Sequence, residues 1–248
     1  MSNAIIEVEN VSKSFGGVIA NRGVSLTVER GGITGLIGPN GSGKTTLFNS
    51  IVGYHPIDAG SIRFAGQEIS TLHVPEIARL GLLRTFQTTR IYGKMNCMQN
   101  MLISLPHRKK GFFDMFARER GAVIERAEHL LAFVGLYEKR FMRSGSLSFG
   151  QQKLLEFAMA LMNEPTVLLL DEPTAGINPT LINGLLDRLR RANTEFGVTL
   201  FIIEHNMRVI MNTASKIYCM AHGEMLAAGT PAEIQDDQRV IDAYLGAH

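Results

Sequence analysis

Short apolar runs separated by glycines dominate the first seventy residues, and this pattern indicates β-strands joined by turns. Alternating and β-branched apolar residues predict strands within residues 5–15 and 23–38, and a further strand with a turn at 60–69. Residues 44–53 differ, because their apolar positions recur at helical spacing and the run ends at a glycine. The amino-terminal part of the chain is therefore predicted to be mainly β-structure, with one helix.

Two later runs, residues 166–173 and 198–205, are continuously apolar over most of their length. Such runs are typical of parallel strands that are covered on both faces. Strands that alternate with helices predict a parallel α/β core.

Between about residues 88 and 162 the strand pattern disappears and helical periodicity replaces it. Residues 120–136 are amphipathic, and no linker rich in proline or serine bounds the region, so we interpret it as a helical insertion in the α/β domain. Residues 146–165 begin a further helix, for which Ser148 and Gln151 form a predicted capping box. Gly150 in its first turn costs about 0.5–1 kcal/mol relative to alanine. Either something approaches that backbone closely or the glycine is incidental.

The composition is that of an ordinary globular protein, with 248 residues, 45% hydrophobic and 19% charged positions, and a net charge of +2. That charge does not favour a nucleic-acid partner. Cys97 and Cys219 lie far apart in the sequence and support neither a disulfide nor a zinc site. No apolar run reaches the roughly 18 residues of a membrane-spanning helix. We therefore expect a cytosolic chain, or one bound to a membrane only through a partner.

The sequence GPNGSGKT, residues 38–45, fits the phosphate-loop pattern G-x-x-x-x-G-K-[ST] and lies between a predicted strand and a predicted helix. Gly38, Gly41 and Gly43 allow the backbone N–H groups to turn toward phosphate oxygens. Lys44 supplies a full positive charge, and Thr45 supplies a hydroxyl for Mg²⁺. A glycine-rich turn with a solvated lysine is the alternative, and the strand–loop–helix context disfavours it.

Acidic residues at the end of another buried strand complete the predicted phosphate site. Asp171 is placed to hold the water shell of a metal ion, and Glu172 to polarise a water for attack on a γ-phosphate. His205 ends the second apolar strand, and Gln87 lies in the sequence RTFQ. Taken alone, a residue of either type is more often structural. A catalytic role for these two residues is favoured only if the strand ends converge.

The motifs together resemble, in order and over the whole chain, the ATP-binding subunits of ABC transporters. The matching positions are Phe15 for stacking on adenine, the phosphate loop 38–45, Gln87 at the Q-loop, LSFGQ at 147–151 for the signature LSGGQ, strand residues 167–172, Asn178 at the D-loop, and the switch histidine His205. The resemblance implies a RecA-like P-loop NTPase core with an antiparallel β region and an inserted α-helical subdomain. Its implied boundaries are a core of residues 1–87 and 163–248 and a helical subdomain of residues 88–162, within one ABC ATPase domain.

The resemblance also implies roles for individual residues, with ATP and Mg²⁺ as ligands. The implied catalytic residues are Glu172, His205 and Gln87, and the implied metal ligands are Thr45, Gln87 and, through water, Asp171. The implied nucleotide-binding residues are Phe15, Gly38, Pro39, Asn40, Gly41, Ser42, Gly43, Lys44, Thr45 and Thr46, with Ser148, Gly150 and Gln151 acting on nucleotide held by a facing subunit.

Three stretches, at residues 84–92, 204–207 and 223–246, resemble more narrowly the LivG-type ATPases of branched-chain amino-acid importers. The implied function is ATP hydrolysis that powers uptake of branched-chain or related small amino acids. The alternatives are another substrate, such as urea, short amides or exported lipopolysaccharide, a non-transport ABC ATPase, or a subunit that binds nucleotide without hydrolysis. The implied partners are a second ATP-binding subunit, identical or homologous, two permease subunits and a solute-binding protein, at the cytoplasmic face of the membrane.

Two positions depart from the family pattern, and one segment has two interpretations. Phe149 replaces the first glycine of the signature, and Asn178 replaces the usual D-loop aspartate. The basic and aromatic stretch at residues 106–120 either meets a cytoplasmic helix of the permease or packs its phenylalanines inside the helical subdomain.

Overall fold

The computed structural model describes residues 3–85, 91–105 and 117–245, and these residues form two compact units. Unit 1 comprises the chain up to Arg84, residues 166–174 and residues 189 onward. Unit 2 comprises residues 85–165 and 175–188. The segment 175–188 therefore groups with unit 2, whereas the sequence-based boundaries, which stay a prediction, put it in the core.

Unit 1 contains two sheets. The four-stranded sheet is antiparallel, has the order β2-β1-β4-β5 and is built from β1 (Ala4–Phe15), β2 (Val18–Glu29), β4 (Ala59–Phe64) and β5 (Gln67–Glu68). The six-stranded sheet has the order β10-β9-β3-β8-β7-β6 and is built from β3 (Ile33–Ile37), β6 (Leu82–Arg84), β7 (Val167–Asp171), β8 (Thr199–Ile203), β9 (Lys216–Ala221) and β10 (Glu224–Gly229). All its pairings are parallel except β9 with β10. The predicted antiparallel region and parallel core are both confirmed.

Unit 1 also contains helices that lie wholly within it. They are α1 (Lys44–Ile51), α2 (Val74–Arg79), α7 (Met207–Met211), α8 (Pro231–Asp236) and α9 (Gln238–Leu245). The core lies between α1 and the sheets, where Phe48 and Phe201 are fully buried with ring centroids 4.7 Å apart. Strands β3, β7 and β8 are buried at every position, as their continuous apolar runs predict.

Unit 2 is helical among its described residues. It contains α3 (Cys97–Ile103), α4 (Ala117–Phe133), α5 (Phe149–Leu161) and the first half of α6 (Pro179–Phe196), with short 3-10 turns at Tyr137–Lys139 and Ser144–Ser146. The amphipathic pattern of residues 120–136 is confirmed, since Ala127, Leu130, Leu131 and Val134 are buried. No helix within residues 3–85, 91–105 and 117–245 combines the length and apolarity that crossing a membrane requires.

Candidate active site

The carboxyl ends of three neighbouring strands bring the candidate residues of unit 1 to one sheet edge. Leu36 in β3 lies opposite Ile203 in β8, which in turn lies opposite Asp171 in β7. Hydrogen bonds extend this pairing past the strand ends, because Glu172 N donates to Ile203 O at 3.0 Å and Glu204 N to Leu36 O at 3.4 Å. The ends of β3, β7 and β8 converge, which is the condition that the sequence analysis set for His205 and Gln87; of these two, His205 lies among the described residues.

The phosphate loop follows β3, and two of its glycines are required by their surroundings. Gly38 has φ +145°, and a Cβ there would lie 2.1 Å from the carbonyl oxygen of Met220. Gly43 has φ +94°, and its Cβ would lie 2.3 Å from Ala20 O and 2.5 Å from Asn21 Nδ2. Since L side chains rarely adopt these conformations, glycine at both positions is dictated by this chain's own fold.

Lys44 lies beneath the loop and is 5% exposed. Its Nζ donates to Gly38 O at 2.8 Å, to Pro39 O at 2.9 Å and to Ser42 Oγ at 3.2 Å. Burial lowers the pKa of Lys44 from its ordinary value, and the charge of Glu172 is the first of the opposing influences. The loop therefore concentrates a positive charge next to its own backbone.

Helix α1 begins directly after Gly43, and among the described residues no side chain caps its amino terminus. The first N–H groups of a helix have no intrahelical acceptor, and the helix dipole adds positive potential there. Thr45, in this first turn, is exposed. An uncapped helix start, a buried lysine and an exposed threonine are a donor set that fits a polyphosphate.

Glu172 and His205 are in direct contact. Oε1 of Glu172 lies 2.5 Å from Nε2 of His205. The backbone of Glu172 has φ +50°, a left-handed conformation that costs free energy for any residue other than glycine and is held here by the bond to Ile203 O. The turn after β7 is thus strained in the conformation that aims this carboxylate at the residue following β8.

Glu204, next to His205, is a buried carboxylate that the sequence analysis missed. It is 2% exposed and accepts hydrogen bonds from Thr174 N at 2.9 Å, from Thr174 Oγ1 at 2.6 Å and from Asn206 N at 3.3 Å. It therefore ties the loop after Glu172 to the loop that carries His205. An acidic residue that closes an apolar strand was the available sequence signal.

Asp171 is 2% exposed and forms an ion pair with Arg84, whose Nη2 lies 2.5 Å from Oδ2. Arg84 also donates from Nη1 to Asn49 Oδ1 in α1, at 2.5 Å. The other carboxylate oxygen, Oδ1, is buried without a hydrogen-bond partner in the described part of the chain. Arg84 is a second residue that sequence reasoning missed, although it lies three residues before Gln87.

The oxygen donors described at this site suit a divalent cation that also binds phosphate and water. Within the described residues no group of three or more His, Cys, Asp or Glu side chains could hold a metal ion. Mg²⁺ prefers oxygen ligands and usually takes one or two from protein, with waters and substrate phosphates supplying the others. The exposed Thr45 hydroxyl and the unpartnered Asp171 Oδ1 are suitable oxygens.

Phe15 ends β1 and is 43% exposed. One face is approached by Lys13 Nζ, 5.3 Å from the ring centroid, and His55 contacts the ring edge-on with centroids 5.1 Å apart. Lys13 is itself held by Asp58 at 2.8 Å. The ring is thus fixed in place and still partly open to solvent, as a stacking surface must be.

The signature sequence begins α5 in unit 2, and its predicted capping box is confirmed. Gln151 N donates to Ser148 Oγ at 3.4 Å, and Ser148 N donates to Gln151 Oε1 at 3.2 Å. Among the described residues, a Cβ at Gly150 would meet only Leu181 Cδ1 at 3.6 Å and Ile177 Cγ2 at 3.8 Å. These are ordinary van der Waals contacts, so this chain's own packing does not require the glycine.

The two departures from the family pattern have structural explanations. The ring of Phe149 lies against Gly176, where a Cβ would be 2.8 Å from Cε1 of the phenylalanine. Asn178 Oδ1 accepts from Thr180 N at 3.0 Å and Thr180 Oγ1 at 2.9 Å, so it caps the start of α6 as an aspartate would. Both substitutions pack or bond within unit 2.

Two parts of the predicted site fall on undescribed residues. Gln87 and most of the stretch 106–120 lie outside the described residues, so the roles implied for them stay predictions.

Comparison with known proteins identifies the family. The ABC transporter family matches residues 21–175, which is more than half of the chain, and the family described as branched-chain amino acid ATP-binding cassette transporter matches residues 224–248. The chain belongs to the ABC transporter family. It is an ATPase of the ATP-binding cassette type, and the RecA-like fold expected from its sequence is confirmed.

Relatives of this cassette match over nearly their whole length. It is 40% identical to the high-affinity branched-chain amino acid transport ATP-binding protein BraF of Pseudomonas aeruginosa, covering 99% of each chain. It is 35% identical to the corresponding protein LivG of Escherichia coli, again covering 99% of each. The solved structure of an ATP-binding cassette of an ABC transporter in its ADP conformation has a TM-score of 0.88 and 32% identity, covering 98% of this chain and 99% of that one.

Replacing Arg84 with methionine tests the ion pair with Asp171. We expect Arg84→Met to lower the free energy of unfolding by about 3–5 kcal/mol, because it leaves a buried carboxylate without its partner. The measurement is urea unfolding at neutral pH.

The matched control is the double variant Arg84→Met with Asp171→Asn, which removes both charges and should recover most of the lost stability. If the double variant is as unstable as the sum of its single variants, the ion pair is not what stabilises this position.

Proposed function

We propose that this cassette hydrolyses ATP to power an importer of branched-chain or related small amino acids. The observation that supports hydrolysis is the contact between Glu172 and His205 at the sheet edge where the phosphate loop begins. A site that only bound nucleotide would need the loop and would not need a strained glutamate held by a histidine.

The chemistry is assigned to these residues as follows. The N–H groups of the phosphate loop and the charge of Lys44 bind the β- and γ-phosphates. Glu172 orients a water molecule and accepts a proton from it as the water oxygen attacks the γ-phosphorus; the bond from that phosphorus to the oxygen of the β-phosphate breaks, and ADP and phosphate are released. His205 contacts the Glu172 carboxylate through Nε2, and the family resemblance assigns it the role of stabilising the charge that develops on the transferred group.

Thr45 and, through water, Asp171 would hold Mg²⁺, which would neutralise negative charge on the phosphates. Phe15 offers its exposed face to the adenine. Gln87 is assigned to the same site by the family resemblance.

We place a second half of the site on another subunit. Ser148, Gly150 and Gln151 begin a helix whose first N–H groups would face the γ-phosphate of ATP bound by the facing cassette. The support is Gly150, which the packing of the described residues does not require and which leaves room there for close approach from outside.

The partners and location follow from the same proposal. The cassette would pair with an identical or homologous ATPase and attach to two permease subunits at the cytoplasmic face of the membrane, with a solute-binding protein delivering the amino acid. ATP-driven closure of the paired cassettes would then drive alternating access in the permeases.

Glu172→Gln tests the catalytic assignment. We expect the rate of ATP hydrolysis to fall by roughly 10²- to 10⁴-fold, because the amide cannot accept a proton from water. Binding of a fluorescent ATP analogue should persist, since Lys44 and the loop are unchanged. Lys44→Ala should instead weaken that binding.

Glu224→Gln is the matched control for Glu172→Gln, because Glu224 is exposed and pairs with the exposed Arg22 at the surface. It should hydrolyse ATP at the wild-type rate. Wild-type turnover by Glu172→Gln would show that another group activates the water.

Gly150→Ala tests the site shared between subunits. The thermal stability should stay unchanged or rise slightly, because alanine favours the helix by about 0.5–1 kcal/mol and its Cβ fits. ATP hydrolysis should fall at least tenfold, because the added methyl group would meet the partner's nucleotide.

The control is Gly121→Ala, at a helical glycine where an added Cβ would have no atom of the described residues within 4 Å, and this change should leave hydrolysis unchanged. A fully active Gly150→Ala enzyme of normal stability would contradict the shared site.

The transported substrate is tested in proteoliposomes that contain the cassette, its co-purified permeases and the solute-binding protein. We expect ATP-dependent uptake of radiolabelled leucine, isoleucine or valine, and no uptake with Glu172→Gln. Uptake of urea or a short amide in preference to these amino acids would assign a different substrate.

A further inference from the structure

The carboxyl-terminal helix α9 contacts the root of the phosphate loop. The backbone N–H of Gly38 donates a hydrogen bond of 2.8 Å to the hydroxyl oxygen of Tyr244, 206 residues later in the chain. Gly38 is buried and is the first residue after β3. Its N–H therefore lies past the end of the strand, and the tyrosine hydroxyl is its acceptor.

Gly38 is enclosed from a second side by β9. Ile37 pairs with Cys219 in β9, and the carbonyl oxygen of the next residue, Met220, lies where a Cβ of Gly38 would be. The sheet therefore fixes one side of the loop root, and α9 supplies the hydrogen bond on the other.

Hydrogen bonds and buried side chains hold the segment that carries Tyr244 in place. Thr230 and Glu233 form a capping box at the start of α8, and Ile234 is 1% exposed. Asp237 then accepts from the N–H and the guanidinium of Arg239, which fixes the turn into α9. Val240, 2% exposed, anchors α9 one turn before Tyr244.

The tyrosine hydroxyl stays protonated at any physiological pH, because burial raises the pKa of Tyr244 to about 12. Its oxygen is therefore a neutral acceptor with a fixed position. A buried N–H that loses its acceptor incurs the full desolvation cost, which favours a shift of the loop toward water.

We infer that Tyr244 is a positioning residue for the phosphate loop, and that the carboxyl-terminal helix thereby sets the affinity of the cassette for ATP. The inference rests on the proposed function, since it takes the loop 38–45 as the nucleotide site. Ordering the loop root before binding reduces the conformational entropy that is lost when nucleotide binds.

Tyr244→Phe tests the inference, because it removes the acceptor oxygen and keeps the ring. We expect the dissociation constant for a fluorescent ATP analogue to rise by roughly five- to twentyfold, because one hydrogen bond to a buried group is lost. The KM for ATP should rise with it, whereas kcat at saturating ATP should change little, because Glu172 and His205 are not touched.

Tyr218→Phe is the matched control. Its hydroxyl also bonds to backbone, accepting from Thr27 N at 3.0 Å and donating to Thr27 O at 2.9 Å, but in β2 and not in the loop. It should lower the melting temperature without changing ATP affinity. A Tyr244→Phe cassette that loses only melting temperature, as Tyr218→Phe does, would make Tyr244 a structural residue and overturn the inference.

Lys44→Ala separates the two proposals. If Lys44→Ala binds the analogue as tightly as the wild type, the loop is not the nucleotide site and the proposed function fails. If Lys44→Ala loses binding and Tyr244→Phe keeps wild-type affinity, the proposed function stands and the inference about α9 is wrong.

Discussion

The parallel hydrogen bonding of β3, β8 and β7 is the constraint on which the site in unit 1 depends. Pairing Leu36 with Ile203, and Ile203 with Asp171, brings three strand ends to one line. The backbone bonds from Glu172 to Ile203 and from Glu204 to Leu36 carry that alignment into the loops. Because all three strands are fully buried, their register is fixed by the core. That register in turn fixes the positions at which the loops after the strands begin.

The charges at this edge are arranged in layers of increasing exposure. Asp171 is buried and tied to Arg84, which is tied in turn to the helix that follows the phosphate loop. Glu172 is next along the chain and less buried, and its partner His205 is more than one-third exposed. This gradient keeps the residue assigned to the metal in the protein interior and leaves the residue assigned to water where water can reach it.

Much of this arrangement could be predicted from the sequence, because the signals are local. The apolar runs predicted β3, β7 and β8, and the glycine-rich turn between a strand and a helix predicted the loop. Arg84, Glu204 and Tyr244 could not be placed in the same way, because what each does depends on a partner 30 or more residues away. Phe149 is a similar case at a somewhat shorter separation, since its contact with Gly176 follows from the packing of α5 beside the start of α6.

The glycines of the phosphate loop and of the first turn of α5 differ in what requires them, and this difference bears on the proposal that the site extends to a second subunit. Gly38 and Gly43 are required by this chain's own fold, since a Cβ at either would overlap atoms of the same chain. Gly150 is not, and in the first turn of a helix it costs stability that alanine would not. Within the part of the chain that the structure describes, Gly150 lowers helix stability and relieves no clash, so its reason is sought outside these residues. The approach of a second subunit's nucleotide, as proposed above, is such a reason, and under that proposal the helix start at Ser148 is the part of the active site that this chain provides to its partner.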